Sequence, residues 1–82
     1  MTQHQGTTLS WEIKDAALEL ALHHPPGNEI GSAMLVELEM FIRALAVAES
    51  RCSAVIIHSR QPRVFSAGAD LRELYTKALP LT

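Results

Sequence analysis

The sequence has no surplus of positive charge. Seven Lys+Arg stand against nine Asp+Glu, a formal net charge of −2 at pH 7. A partner held through nucleic-acid phosphates needs a basic patch, so that class is excluded. Cysteine is nearly absent as well: Cys52 stands alone and cannot form an intrachain disulfide. No long hydrophobic run is present. The longest nearly uncharged apolar stretch lies between Arg43 and Glu49, far short of the ~20 residues of a membrane-spanning helix. The segment Met1 to Thr8 is polar and carries neither Lys nor Arg, so the basic start of an export signal is missing. The sequence also has no internal repeat, no low-complexity linker and no G-x-S-x-G nucleophile turn. These absences lead to the expectation of a cytoplasmic protein with no membrane and no nucleic-acid partner.

What is present is 82 residues, 48% hydrophobic and 20% charged, too apolar for a disordered chain. A chain of this length buries only about 60% of its unfolded surface. One marginal unit, or part of something larger, is the reading.

Leu9, Trp11 and Ile13 alternate with Ser10, Glu12 and Lys14, the two-residue period of a half-buried strand. From Ala16 to His24 the alternation repeats, with Leu18, Leu20 and Leu22 on one face and Ala17, Glu19, Ala21 and His23 on the other. A hairpin turning at Asp15-Ala16 follows, although glycine would make that turn easier than Ala16. Alanine and leucine would also suit a helix over 15–23, but leucines two apart leave no coherent helical face. The segment before Asn28, with Pro25, Pro26 and Gly27, then interrupts regular structure.

Ser32 offers a side-chain oxygen to cap a helix over 33–49. Its expected apolar stripe is Met34, Leu35, Leu38, Phe41, Ile42, Leu45 and Ala48, with Glu37, Arg43 and Glu49 off that stripe. Ser53 to His58 is short, β-branched and apolar on both faces, which predicts a strand covered on both sides and parallel to the second one. Strand, helix, strand then forms a right-handed crossover. After a polar loop around Pro62 and a brief extended Val64-Phe65, Ser66 to Asp70 leads into a last helix. Leu71, Leu74, Tyr75 and Ala78 mark the buried face of that helix, and Pro80 ends it.

The small residues Ser66-Ala67-Gly68-Ala69 before a helix let backbone approach a ligand closely. N–H groups at a helix start carry about half a positive charge. Held rigidly, such a donor stabilises a developing oxyanion by roughly 3–4 kcal/mol. The plainer alternative is that Gly68 makes a turn and Asp70 caps the helix. Other chemistry has less support. His23 and His24 are adjacent and point to opposite faces of an extended chain, so they do not share a metal ion. His4 and His58 lack partners at ligand spacing, and Cys52, at the end of a helix–strand loop, is no nucleophile candidate.

Phe65-Ser66-Ala67-Gly68-Ala69-Asp70-Leu71 with Glu73-Leu74 resembles the F-(S/A)-A-G-A-D-(L/I)-x-E-(L/M) signature of the enoyl-CoA hydratase/isomerase, or crotonase, superfamily. Leu22 to Asn28 is similar to the family's L-x-x-P-P-x-N segment. Met34-Leu35 and Glu37-Leu38 fall at its m-x-x-e-L helix, and Ala54 to Ile57 at its hydrophobic strand. The resemblance runs from about Leu9 to Tyr75. It implies an α/β fold: an N-terminal hairpin, a β-α-β crossover and a terminal helix, forming the first third of a crotonase (ClpP-like) domain. Residues 1–8 would be extended or disordered, and 9–82 an incomplete domain.

The resemblance further implies an acyl-CoA thioester as ligand, with coenzyme A entering as part of the substrate, no covalently bound cofactor and no metal. The Ala69 N–H would be one of two oxyanion donors. Pro26, Gly27, Ala67, Gly68, Ala69 and Asp70 would lie along the CoA. The family's second donor and its acid/base carboxylates fall later than these residues, and Glu73, read as surface-facing, does not replace them. A CoA-binding half-site, inactive alone, is therefore expected. A non-catalytic binding or assembly subunit and a truncated product are the alternatives. A full-length form would be a trimer or hexamer, and a short form would pair with a complementary chain.

Overall fold

The leucine alternation of the N-terminal half builds a sheet. In a computed structural model, which describes residues 3–77 apart from the side chains of 74, 75 and 77, strands β1 (Gln3–Gln5), β2 (Leu9–Lys14), β3 (Ala17–Leu22) and β4 (Ala54–Ser59) lie in that order. The first three run antiparallel, and β4 joins β3 in parallel from Ala17↔Ala54 to Leu22↔Ser59. Helix α1 (Ser32–Ala48), followed by a 3-10 turn at Glu49–Arg51, connects the parallel pair. Helix α2 (Leu71–Lys77) follows the signature loop.

The expected β2–β3 hairpin forms, pairing from Leu9↔Leu22 to Lys14↔Ala17, and its turn residues Asp15 and Ala16 have φ of 52° and 65°. Both central angles are positive because that turn follows the right-handed twist of the strands. Leu9, Trp11, Leu18, Leu20 and Leu22 form one buried face, on which Met34, Phe41 and Ala44 of α1 pack. Each fully buried leucine contributes roughly 1.5–3 kcal/mol of hydrophobic stabilisation. Trp11 stacks on His4 at a ring separation of 4.3 Å and meets Phe41 edge-on at 5.6 Å. These ring contacts dock β1, a polar strand that hydropathy alone does not reveal.

The apolar stripe of α1 is rotated from the expected one. Met34, Glu37, Phe41, Ala44 and Ala48 are buried, whereas Leu35 and Ile42 are 52% and 63% exposed. The cause is Glu37. Its carboxylate accepts hydrogen bonds from the Thr8 N–H (2.7 Å), the Thr8 hydroxyl (2.6 Å), the Thr7 hydroxyl (3.3 Å) and His4 Nε2 (2.8 Å). A carboxylate so supplied can turn inward, taking the helix face with it. Burial pushes its pKa up. The Thr8 hydroxyl, His4, the Thr8 N–H and the Thr7 hydroxyl together outweigh burial and hold it down at about 2, from 4.5.

Three further expectations are corrected. The cap of α1 is not Ser32, which is its first residue. Gly31 is the N-cap and has no side chain to offer. Strand β4 is not covered on both sides: Val55, Ile56 and Ile57 are each more than 40% exposed, because β3 is its only neighbour among the described residues. Leu71 is 72% exposed rather than buried. Of its expected companions, Ala78 and the end at Pro80 lie outside the described residues, as do the side chains of Leu74 and Tyr75.

Candidate functional site

Both parallel strands end at the same side of the sheet, and the chain leaves β3 and β4 there through two loops. Brought together, the loops place Pro26-Gly27-Asn28 against Ser66-Ala67-Gly68-Ala69-Asp70. The Ala67 N–H donates to the Gly27 carbonyl (2.8 Å), the Ile30 N–H to the Gly68 carbonyl (2.8 Å) and the Asp70 N–H to the Ile30 carbonyl (2.9 Å). The last two bonds define an isolated parallel bridge between Ile30 and Ala69. In such a bridge one residue bonds to both neighbours of its partner. Ile30 therefore fixes Gly68 and Asp70, and the N–H of Ala69 between them is turned away and meets no acceptor among the described residues.

The two glycines serve different purposes. Gly68 has a φ of +88°, while an added Cβ there would meet open space; its backbone angle, not crowding, calls for glycine. Gly27 is buried, and an added Cβ would lie 3.3 Å from the Ala67 Cβ. Close approach of the two loops is the requirement there.

A cleft of about 440 Å³ opens between the loops, walled by His24, Pro25, Pro26 and Glu29 on one side and by Ala67, Ala69, Asp70, Leu71 and Arg72 on the other. Of the residues singled out from the sequence, Pro26, Ala67, Ala69 and Asp70 line it. Gly68 shapes the turn behind it, and Gly27 lies beneath, fastening the loops. Both carboxylates on the cleft are engaged in the scaffold. Glu29 Oε1 accepts from the Gly27 N–H (3.2 Å), and Asp70 Oδ1 accepts from the Glu73 N–H (3.0 Å), which caps α2. Arg72 supplies a guanidinium at the same wall.

Glu73, expected on the surface face of its helix, is half-buried and makes an exposed contact with the start of α1. Its Oε1 accepts from the Ser32 N–H at 2.8 Å and also meets the Ser32 hydroxyl, so the carboxylate caps α1 from another helix. A Cβ on Gly31 would lie 2.6 Å from Glu73 Oε2, so the bare N-cap makes room for that carboxylate.

Asn28 stands in the Leu22–Asn28 motif, which by itself assigns it no task. It is fully buried with a φ of 52°. Its Oδ1 accepts from the His24 N–H (2.7 Å), and its Nδ2 donates to the Ser59 Oγ (2.8 Å) and to the Phe65 carbonyl (2.8 Å). The Ser66 hydroxyl donates to the Asn28 carbonyl (2.9 Å) and accepts from the Gly68 N–H (3.0 Å). The available signal was an asparagine after Pro-Pro-Gly, where a left-handed residue with a satisfied amide is commonly needed.

An antiparallel hairpin extended by a parallel strand, with a backbone cleft at the strand ends, defines this as an α/β protein. Two solved structures give the comparison its detail. An enoyl-CoA hydratase from Geobacillus kaustophilus HTA426 superposes with a TM-score of 0.77 at 25% identity, over 96% of this chain and 30% of its own. A probable enoyl-CoA hydratase, EchA3, from Mycobacterium tuberculosis H37Rv superposes with a TM-score of 0.73 at 26% identity, over 88% of this chain and 29% of its own. No family model and no curated protein matches the sequence. The chain has the fold of the N-terminal portion of the enoyl-CoA hydratase/isomerase (crotonase) superfamily, and it spans less than a third of the length of these structures. No helix among the described residues is long and apolar enough to cross a membrane.

Proposed function

We propose that this chain forms an acyl-CoA-binding half-site, in which the Ala69 N–H donates to the thioester carbonyl oxygen and Pro26, Ala67 and Asp70 flank the CoA. The single observation that carries this reading is the Ala69 N–H: both neighbours are pinned to Ile30 while it stands beside an open cleft without an acceptor among the described residues. A preorganised donor of this kind lowers the energy of an enolate oxygen by roughly 3–4 kcal/mol. Hydration or isomerisation also needs a positioned proton carrier. Glu29, Asp70 and Glu73 are committed to holding loops and helix ends, so the acid/base groups come from further crotonase-fold polypeptide, joined to this chain or supplied by another.

Calorimetry with butyryl-CoA tests the proposal. Binding is expected, and Ala69→Pro, which removes an N–H that makes no bond within the described residues, should weaken it about tenfold or more. Absence of binding by the unaltered chain, or equal affinity of Ala69→Pro, overturns the assignment.

A further inference from the structure

We infer that Asn28 is a positioning residue for the Ala69 donor: its carboxamide, buried away from the cleft, sets how the 65–70 loop presents that N–H. The inference rests on the reading of the cleft as an acyl-CoA site, but its structural half stands independently. Asn28 has no exposed surface and is absent from the cleft wall, so it touches no ligand. One side-chain group joins three segments. Oδ1 holds the start of the 24–28 turn through the His24 N–H. Nδ2 ties that turn to the end of β4 at Ser59 and to the start of the signature loop at the Phe65 carbonyl. The Asn28 backbone is fastened in the same place, its N–H donating to the His24 carbonyl (2.7 Å) and its carbonyl accepting from Ser66. Ser66 then holds the Gly68 N–H, one residue before Ala69.

This arrangement has no apolar substitute. Phe65 is 56% exposed, and Ala67 and Ala69 are exposed as well, so side-chain packing does not fix the loop's height above the sheet. Hydrogen bonds do: at its entry the Asn28 amide holds the Phe65 carbonyl, and the Ser59 hydroxyl to which the same amide donates holds the Val64 carbonyl (2.7 Å). A buried amide with both its oxygen and its nitrogen satisfied tolerates little change in its partners' positions. The entry of the loop is therefore registered to the ends of β3 and β4 by a polar pin, which acts together with the Ile30 bridge to place the Ala69 N–H.

Asn28→Asp separates the two halves of the carboxamide. It retains the acceptor for the His24 N–H and the tolerance for positive φ, but sets an oxygen against the Phe65 carbonyl. Ser59→Ala, which removes one partner of Nδ2 together with the Ser59 Oγ bonds to the Gln61 N–H (2.9 Å) and the Val64 carbonyl (2.7 Å), serves as a second variant should the first fail to fold. Amide hydrogen exchange on the free, full 82-residue chain reads the loop, and calorimetry with butyryl-CoA reads the donor. In either variant, exchange at Ala67 and Asp70 should quicken about tenfold while the β2–β3 hairpin amides hold their rates, and butyryl-CoA affinity should fall by a similar factor. Uniform acceleration across hairpin and loop would mean a general stabilising role, and unchanged loop exchange would mean no role; either result overturns the inference. If the unaltered chain does not bind butyryl-CoA, the acyl-CoA reading fails, while selective loop exchange still decides whether Asn28 is the pin. Where the unaltered chain binds, unchanged affinity in a variant with a loosened loop overturns the link to Ala69.

Discussion

The two ends of this molecule are held by different physics. At the hairpin end, Leu9, Trp11, Leu18 and Leu20 are at most 4% exposed and pack on Met34 and Phe41 of α1. At the loop junction, the buried centre is one asparagine, and the two segments are joined by hydrogen bonds between backbone and short polar side chains. Apolar packing is non-directional and tolerates small displacements, whereas hydrogen bonds fix atoms to within tenths of an ångström. A site that must aim a backbone donor benefits from the second kind of support. The chain places its stability at one end and its positional accuracy at the other.

The comparison is broken most severely at the hairpin end. Leu20→Ala leaves a cavity beneath α1 and should cost about 2–5 kcal/mol, a large fraction of the stability of so small a chain. Urea unfolding followed by circular dichroism measures the loss. The loop junction hangs from the ends of β3 and β4, so its amides should lose exchange protection along with the hairpin's. Retention of junction protection in an unfolded hairpin would show that the two ends are independent units.

Glu37 gives the next largest effect and lies on the apolar side as a polar exception. Its folded pKa, at about 2, is below the ordinary 4.5, so its contribution is fully present above pH 4.5. It is lost as pH falls from 4.5 toward 2. The contribution is about 3 kcal/mol at most. Glu37→Gln should be destabilised by roughly 2 kcal/mol at neutral pH, and its stability should approach that of the unaltered chain as pH is lowered to 2. Denaturant titrations at pH 7, 4 and 2 measure this; a constant gap across the three would show that the carboxylate's charge is not what holds Thr7, Thr8 and His4.

Much of the hairpin was legible in the sequence, because a two-residue period allows one choice of buried face and Leu18, Leu20 and Leu22 make it. Helix α1 was legible as an element but not as a face. Leu35 and Ile42 have the right spacing for a core stripe, and nothing in hydropathy reports that Thr7, Thr8 and His4 wait to receive Glu37. The same limit applied to β4. Val55, Ile56 and Ile57 describe an environment apolar on both sides, and the described residues occupy only one edge of that environment. At the site, the motif indicated which two loops matter. The division of labour between Pro26 and Gly27, the cap supplied by Glu73 and the pin at Asn28 depend on contacts between residues about forty positions apart, and local spacing does not encode them.

The smallest effect is a gain, and it tests the hairpin without touching the junction. Ala16 has a φ of 65° and Asp15 one of 52°, angles that glycine adopts freely at the second position of such a turn and alanine does not. Ala16→Gly relieves a cost of about 1–2 kcal/mol in the folded state. It also adds roughly 0.5–1 kcal/mol of unfolded-chain entropy, so the net expectation is a stabilisation of about 0.5–1 kcal/mol. The Ser53 N–H donates to the Ala16 carbonyl at 2.8 Å, and that backbone bond is retained. The midpoint of urea unfolding should rise while butyryl-CoA affinity stays as it was, since the turn lies at the end of the sheet opposite the cleft. A change in affinity would mean that turn strain is transmitted along β3 to Asn28, and the separation between the packed end and the aimed end would no longer hold.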